Sequence, residues 1–231
     1  MKVAFLGDSI TKGVPKVSYF EMLLQDLDSY ELTNYGKGGD TVDSLLKRIK
    51  KIKHLEEYDL VFVFIGVNDV YSKINRKHEV MKALRRQYWS KDNVEFRALY
   101  YDLIKYLDTK CRKVVIIPPL LFGENLKSKW NEELKEYIEV IKDILKEYPH
   151  IDYLDVYSAF VEYLKDKEVV DYIPESLFRT GMDAAVLVNN QLADQESDER
   201  GLHLTLDGVH LNSKGAKLTA DIIADYIKTT C

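Results

Sequence analysis

The sequence predicts an α/β protein, a three-layer sandwich built on a parallel sheet of five strands. Two observations carry that expectation. Leu60–Ile65 and Val114–Ile117 are nearly unbroken runs of Val, Ile, Leu and Phe, as in strands buried on both faces of a parallel sheet. Between the strand-like segments, apolar residues recur at spacings of three and four, so strands and helices alternate and read as βαβ units.

The elements follow in order. A first strand, Lys2 to Leu6, runs into the turn Gly7-Asp8-Ser9-Ile10-Thr11, and a second spans Glu31 to Tyr35. Val42, Leu45, Leu46, Ile49 and Ile52 form one apolar helix face, Phe96, Leu99, Leu103 and Leu107 another, and Leu134, Ile138, Ile141 and Leu145 a third. Trp130, one turn before Leu134, belongs with that core face. Leu60–Ile65 and Val114–Ile117 supply the third and fourth strands, Tyr153 to Val156 the fifth. A last helix covers Ser213 to Lys228, with Ser213 in the N-cap position. Two stretches break the alternation. Ser72 to Asn93 is polar and weakly helical, and 165–206 has no clean period but contains Pro174, Gly181 and the acidic run Asp194 to Glu199. Loops of this length are functional, mobile or surface decoration; 165–206 is expected to be an insertion or a lid, and if these stretches fold over the site they decide which substrate enters. No Pro/Gly/Ser-rich linker divides residues 1–231, so one domain is expected.

Composition narrows the class. With 46% hydrophobic and 31% charged residues the chain has enough apolar material for a continuous core. The net charge of −5 is modest. Lys47-Arg48 and Lys50-Lys51 share their helical neighbourhood with Asp43, Glu56 and Glu57, which argues against nucleic-acid binding. No apolar run approaches a membrane span, and the amino-terminal segment lacks the long apolar stretch of a secretory signal, so a cytoplasmic location is expected. Cys111 and Cys231 are too few for a disulfide framework or a metal site, and no cofactor is expected.

Ser9 sits where a strand ends and a helix begins. Alone it reads equally as a helix N-cap, because serine oxygen accepts a backbone N–H. Its company shifts the reading. Asn34-Tyr35-Gly36-Lys37-Gly38-Gly39-Asp40-Thr41 follows the second strand, Gly66-Val67-Asn68-Asp69 the third, and Asp207-Gly208-Val209-His210 lies near the carboxyl end. Turns at the carboxyl ends of parallel strands gather on one edge, where such sheets bind ligands. Acyl transfer through a serine needs a base, a group orienting that base, and donors for the developing oxyanion. His210 and Asp207 suit the first two roles; the backbone N–H groups of Gly39 and Ser9 and the Asn68 carboxamide suit the third. Asp8 and Asp69 are read as carboxylates that fix backbone turns rather than as a catalytic pair, and Asp40 as the N-cap of the next helix. His203, four residues before Asp207, is a competing candidate for the base.

The four blocks, in this order and spanning residues 7 to 210, resemble the SGNH (GDSL-type) hydrolase family. The resemblance implies a flavodoxin-like three-layer α/β/α fold and metal-free ester hydrolysis, with Ser9 as nucleophile, His210 and Asp207 completing a triad, and Ser9, Gly39 and Asn68 forming the oxyanion hole. Leu211 stands where many members have proline after the histidine. The expected activity is that of a serine esterase on short-chain, acetyl-type esters of a carbohydrate or other small molecule. A lysophospholipase or thioesterase, an acyltransferase, and a non-catalytic carbohydrate-binding module are the alternatives. A nucleotide-binding module fits poorly: Gly7 to Gly13 lacks the Gly-Lys-Ser/Thr of a P-loop, and Thr41 replaces the third glycine of a dinucleotide fingerprint. No Gly-x-Ser-x-Gly occurs.

Overall fold

A computed structural model describes residues 1–73, 76–84, 87–172 and 189–230. Five strands, β1 (Lys2–Gly7), β2 (Glu31–Gly36), β3 (Leu60–Phe64), β4 (Val114–Ile117) and β5 (Asp152–Tyr153), pair in the order β2-β1-β3-β4-β5, every pair parallel. β3 and β4 are buried along their whole length, whereas the edge strand β2 is half-exposed. This is the contrast that apolar runs and mixed compositions impose on central and edge positions.

Helices α1 (Ser9–Lys12), α2 (Tyr19–Asp26), α3 (Val42–Ile49), α4 (Val67–Tyr71), α5 (Arg76–Leu84), α6 (Asn93–Lys110), α7 (Lys129–Leu145), α8 (Val156–Leu164), α9 (Asn190–Glu199) and α10 (Ser213–Thr230) surround the sheet. α2, α8 and α10 pack together, as do α3, α6 and α7. Side-chain alternation along the strands separates the two groups. Phe5 and Phe62 are register partners and stack at 5.0 Å; Phe5 meets Phe20 of α2, and Phe62 meets Tyr226 of α10.

Four strands fall within one residue of their expected limits, and the fifth does not. Val156 is the first residue of α8, because Asp155 accepts the Ser158 N–H at 3.0 Å and starts a helix where extended chain was expected. Two caps also differ. Thr41, not Asp40, caps α3, exchanging hydrogen bonds with Ser44 in a capping box. Asn212, not Ser213, caps α10 by accepting the Gly215 N–H at 3.0 Å. Within the two irregular stretches lie α5 and α9; residues 173–188, the middle of the expected lid, fall outside the described residues, as does Cys231. Among the described residues, no helix is long and apolar enough to cross a membrane.

In the order β2-β1-β3-β4, the connections that leave β1 and β3 run in opposite directions. A crevice opens there beyond the strand ends, between the loops after β1 and β3.

Candidate active site

Ser9 is delivered to this crevice by a sharp turn. β1 ends at Gly7, Asp8 caps α1 by accepting the Ile10 N–H at 3.0 Å, and Ser9 becomes the first helical residue. The cap is therefore Asp8, which leaves the Ser9 hydroxyl for other partners.

The Asp207–His210 segment is folded back on itself. Thr205 and Leu211 form an antiparallel bridge, and the Leu206 N–H donates to the His210 carbonyl at 2.7 Å. Asp207 Oδ1 accepts the N–H groups of Val209 (3.0 Å) and His210 (2.8 Å), while Oδ2 lies 2.8 Å from His210 Nδ1. One carboxylate thus shapes the turn and aims the ring. An ionised carboxylate only accepts, so Nδ1 carries the proton and Nε2 presents its lone pair. Nε2 lies 2.9 Å from Ser9 Oγ. Burial disfavours charge on Asp207, but His210 and the two backbone N–H groups outweigh it and hold the carboxyl below its ordinary range. His203, the competing base, lies elsewhere: its Nε2 is 2.8 Å from the Glu168 carbonyl.

Gly39 and Asn68 stand on the two loops that flank Ser9. Gly39 adopts φ +78°, a conformation that L side chains rarely take, and a Cβ at its neighbour Gly38 would stand 4.0 Å from Ser9 Cβ. Asn68, nearly buried in α4, donates from Nδ2 to Asp8 Oδ2 at 3.1 Å. An amide nitrogen has two hydrogens, so one remains for a ligand. Burial raises Asp8 to about 6, against the lowering effect of the Ile10 N–H that it accepts. Asp69 is a brace: it accepts the Val42 and Ser90 N–H groups, each at 3.1 Å, and burial raises it to about 6 as well. Asp40 pairs with Arg48 at 2.8 Å, and Arg48 donates in turn to the Gly7 carbonyl at 3.2 Å, tying the loop after β2 to the end of β1.

A second tier of residues escaped the sequence reading. Glu124, fully buried, accepts from the N–H groups of His203, Leu204 and Thr205 and from Thr205 Oγ1, all at 2.7–2.8 Å. Asn131 braces the loop that carries Glu124, accepting the Phe122 N–H and donating to the Gly123 and Asn125 carbonyls. The available signal was position: Glu124 follows β4 at the same sheet edge as Ser9 and Asn68.

A cleft of about 510 Å³ opens beside Gly38 and is lined by Lys37, Asp40, Ser44, Arg48, Lys51 and Gln87 among others. Among the described residues no cluster of His, Cys, Asp or Glu has the make-up of a metal site.

The model of the GDSL-like Lipase/Acylhydrolase family matches residues 5–218. The chain belongs to that family. An acetylxylan esterase of Geobacillus stearothermophilus is 24% identical over 182 residues, covering 71% of this chain and 80% of the relative. The crystal structure of the acetyl xylan esterase AlAXEase superposes with a TM-score of 0.70 at 25% identity, over 98% of this chain and 100% of that one. LAE5, an α/β hydrolase enzyme from the metagenome of Lake Arreo, Spain, shares the fold with a TM-score of 0.68 at 18% identity, over 97% and 93% of the two chains. This family member is a carboxylic ester hydrolase.

Proposed function

We propose that the enzyme removes short acyl groups, acetyl above all, from a carbohydrate, through an acyl-enzyme on Ser9. The observation that carries the mechanism is the unbroken chain Ser9 Oγ, His210 Nε2, His210 Nδ1, Asp207 Oδ2, with steps of 2.9 and 2.8 Å. His210 takes the hydroxyl proton as Ser9 attacks the ester carbonyl, then returns it to the departing sugar alkoxide; water repeats the cycle to release the acid. Asp207 steadies the imidazolium. The N–H groups of Ser9 and Gly39 and the second Asn68 Nδ2 hydrogen receive the oxyanion.

Two findings support the acetyl-carbohydrate reading. The cleft beside Gly38 carries lysine, arginine, aspartate, serine and glutamine side chains that can hydrogen-bond the hydroxyls of a sugar. Relatives found by sequence and by structure are named as acetylxylan esterases. The test is turnover of p-nitrophenyl esters of rising chain length, together with acetate release from acetylated xylo-oligosaccharides, by the wild type and Ser9→Ala. Acetate is the expected optimum, and Ser9→Ala is expected to be inactive. An optimum at long chains would reassign the substrate to lipid, and undiminished turnover by Ser9→Ala would remove the nucleophile.

A further inference from the structure

Lysine is rarely buried without a partner, because removing an ammonium from water costs several kcal/mol. Lys82 is only 5% exposed, although its neighbours Glu79, Val80, Ala83 and Leu84 on α5 are exposed. Its Nζ donates to the carbonyl of Gly39. Its charge also reaches the buried carboxyl groups of Asp8 and Asp69, lowering both against the effect of burial. The chain just after α5 is tied to the same region. The Tyr88 carbonyl accepts from Thr41 Oγ1 at 2.6 Å, and the Ser90 N–H donates to Asp69 at 3.1 Å. One segment thus grips the loops carrying Gly39 and Asn68.

We propose that Lys82 is a positioning residue for the oxyanion hole, anchoring the peptide that follows Gly39 so that the Gly39 N–H, on the other side of the same Cα, is held ready for the tetrahedral intermediate. The inference rests on the assignment of Gly39 as an oxyanion donor. A glycine at φ +78° has no side chain to restrain it, and an oxyanion hole is effective only when its donors need no rearrangement at the moment of reaction. A charged donor on that carbonyl oxygen, with the Asp40 N–H of the same peptide held by the Lys37 carbonyl at 3.2 Å, fixes the peptide after Gly39 and so leaves the Gly39 Cα and the N–H on its other side less room to move. Lys82 touches neither substrate nor Ser9 in this scheme.

The experiment measures kcat and KM for p-nitrophenyl acetate, and affinity for an alkylboronic acid that forms a tetrahedral adduct at serine, in the wild type, Lys82→Met, Lys82→Gln, Lys82→Arg and Ser9→Ala. Loss of the clamp in Lys82→Met is expected to lower kcat about tenfold or more, with KM changed less than about twofold and boronic-acid affinity falling in step with kcat. Lys82→Arg, which keeps the charge and the donor, is expected to recover most of the loss. The acid limb of the Lys82→Met profile should also move to higher pH, because Asp8, which otherwise faces His210, Asp40 and Asn68, loses a nearby cation. Lys82→Gln, which keeps a neutral donor, covers the case in which Met does not fold there. A kcat within about twofold of wild type in both neutral variants, or a kcat loss that Lys82→Arg leaves unrestored, overturns the proposal. Turnover surviving in Ser9→Ala overturns the underlying mechanism instead, so the two failures are distinct.

Discussion

Replacing Glu124 by leucine is expected to be among the costliest single changes outside the triad. The carboxylate is fully buried and is the shared acceptor for four donors at 2.7–2.8 Å, three of them backbone N–H groups of residues 203–205. Leucine fills the space but accepts nothing. Each orphaned buried donor costs about 1–3 kcal/mol, and relaxation of the loop and the removal of one buried charge offset part of the sum. The expected net loss is about 3–5 kcal/mol, a large share of the roughly 5–15 kcal/mol by which domains are stable. In urea that loss should lower the unfolding midpoint by about 1–2 M with little change in slope. The same loop continues into Asp207 and His210, so kcat should fall sharply even at temperatures where the variant stays folded. Glu124→Gln, which keeps one acceptor but turns an NH2 towards the donors, should lie in between. A Glu124→Leu protein less than about 1 kcal/mol below wild type, or one with undiminished kcat, would refute the reasoning.

Asn68→Ala removes one of the proposed oxyanion donors and should lower kcat by about 10²–10³ with KM nearly unchanged, read by steady-state kinetics on p-nitrophenyl acetate. Gly39→Ala puts a side chain into a left-handed backbone position (φ +78°) and should cost about 1–3 kcal/mol in urea unfolding along with activity. Asp8, at about 6, holds the Asn68 amide more strongly when ionised, so kcat should rise as pH increases through about 6 and the Asp8→Asn variant should lose that dependence. Stability should run the other way. Because Asp8 and Asp69 hold protons more tightly folded than unfolded, the native state binds more protons between about 4 and 6, and their contribution to unfolding free energy falls as pH rises through that window. Denaturation of wild type and Asp8→Asn at pH 4 and 7 checks this: the variant should gain relative to wild type at the higher pH, by roughly 2 kcal/mol.

The sequence by itself determined the layered α/β architecture, because continuous apolar runs and three-four spacing are local signals of burial. It also put Ser9, Gly39 and Asn68 just beyond the carboxyl ends of the first three strands, where a parallel sheet gathers its turns on one edge. Short-range competition between caps was less legible. Asp40 and Thr41 are both good caps, and Arg48 takes Asp40 at 2.8 Å, leaving Thr41 to start α3. At Asp155 the cap cut the fifth strand to two residues. The tertiary structure brings His210, and not His203, within reach of Ser9, across 201 residues of chain. It alone revealed Glu124 and Lys82, whose partners are backbone groups about 80 and 43 residues away. A carboxylate or an ammonium carries no mark of its destination in sequence, since backbone N–H and carbonyl groups are the same at every position. What selects them is the cost of burying charge, and burial exists only once the chain has folded.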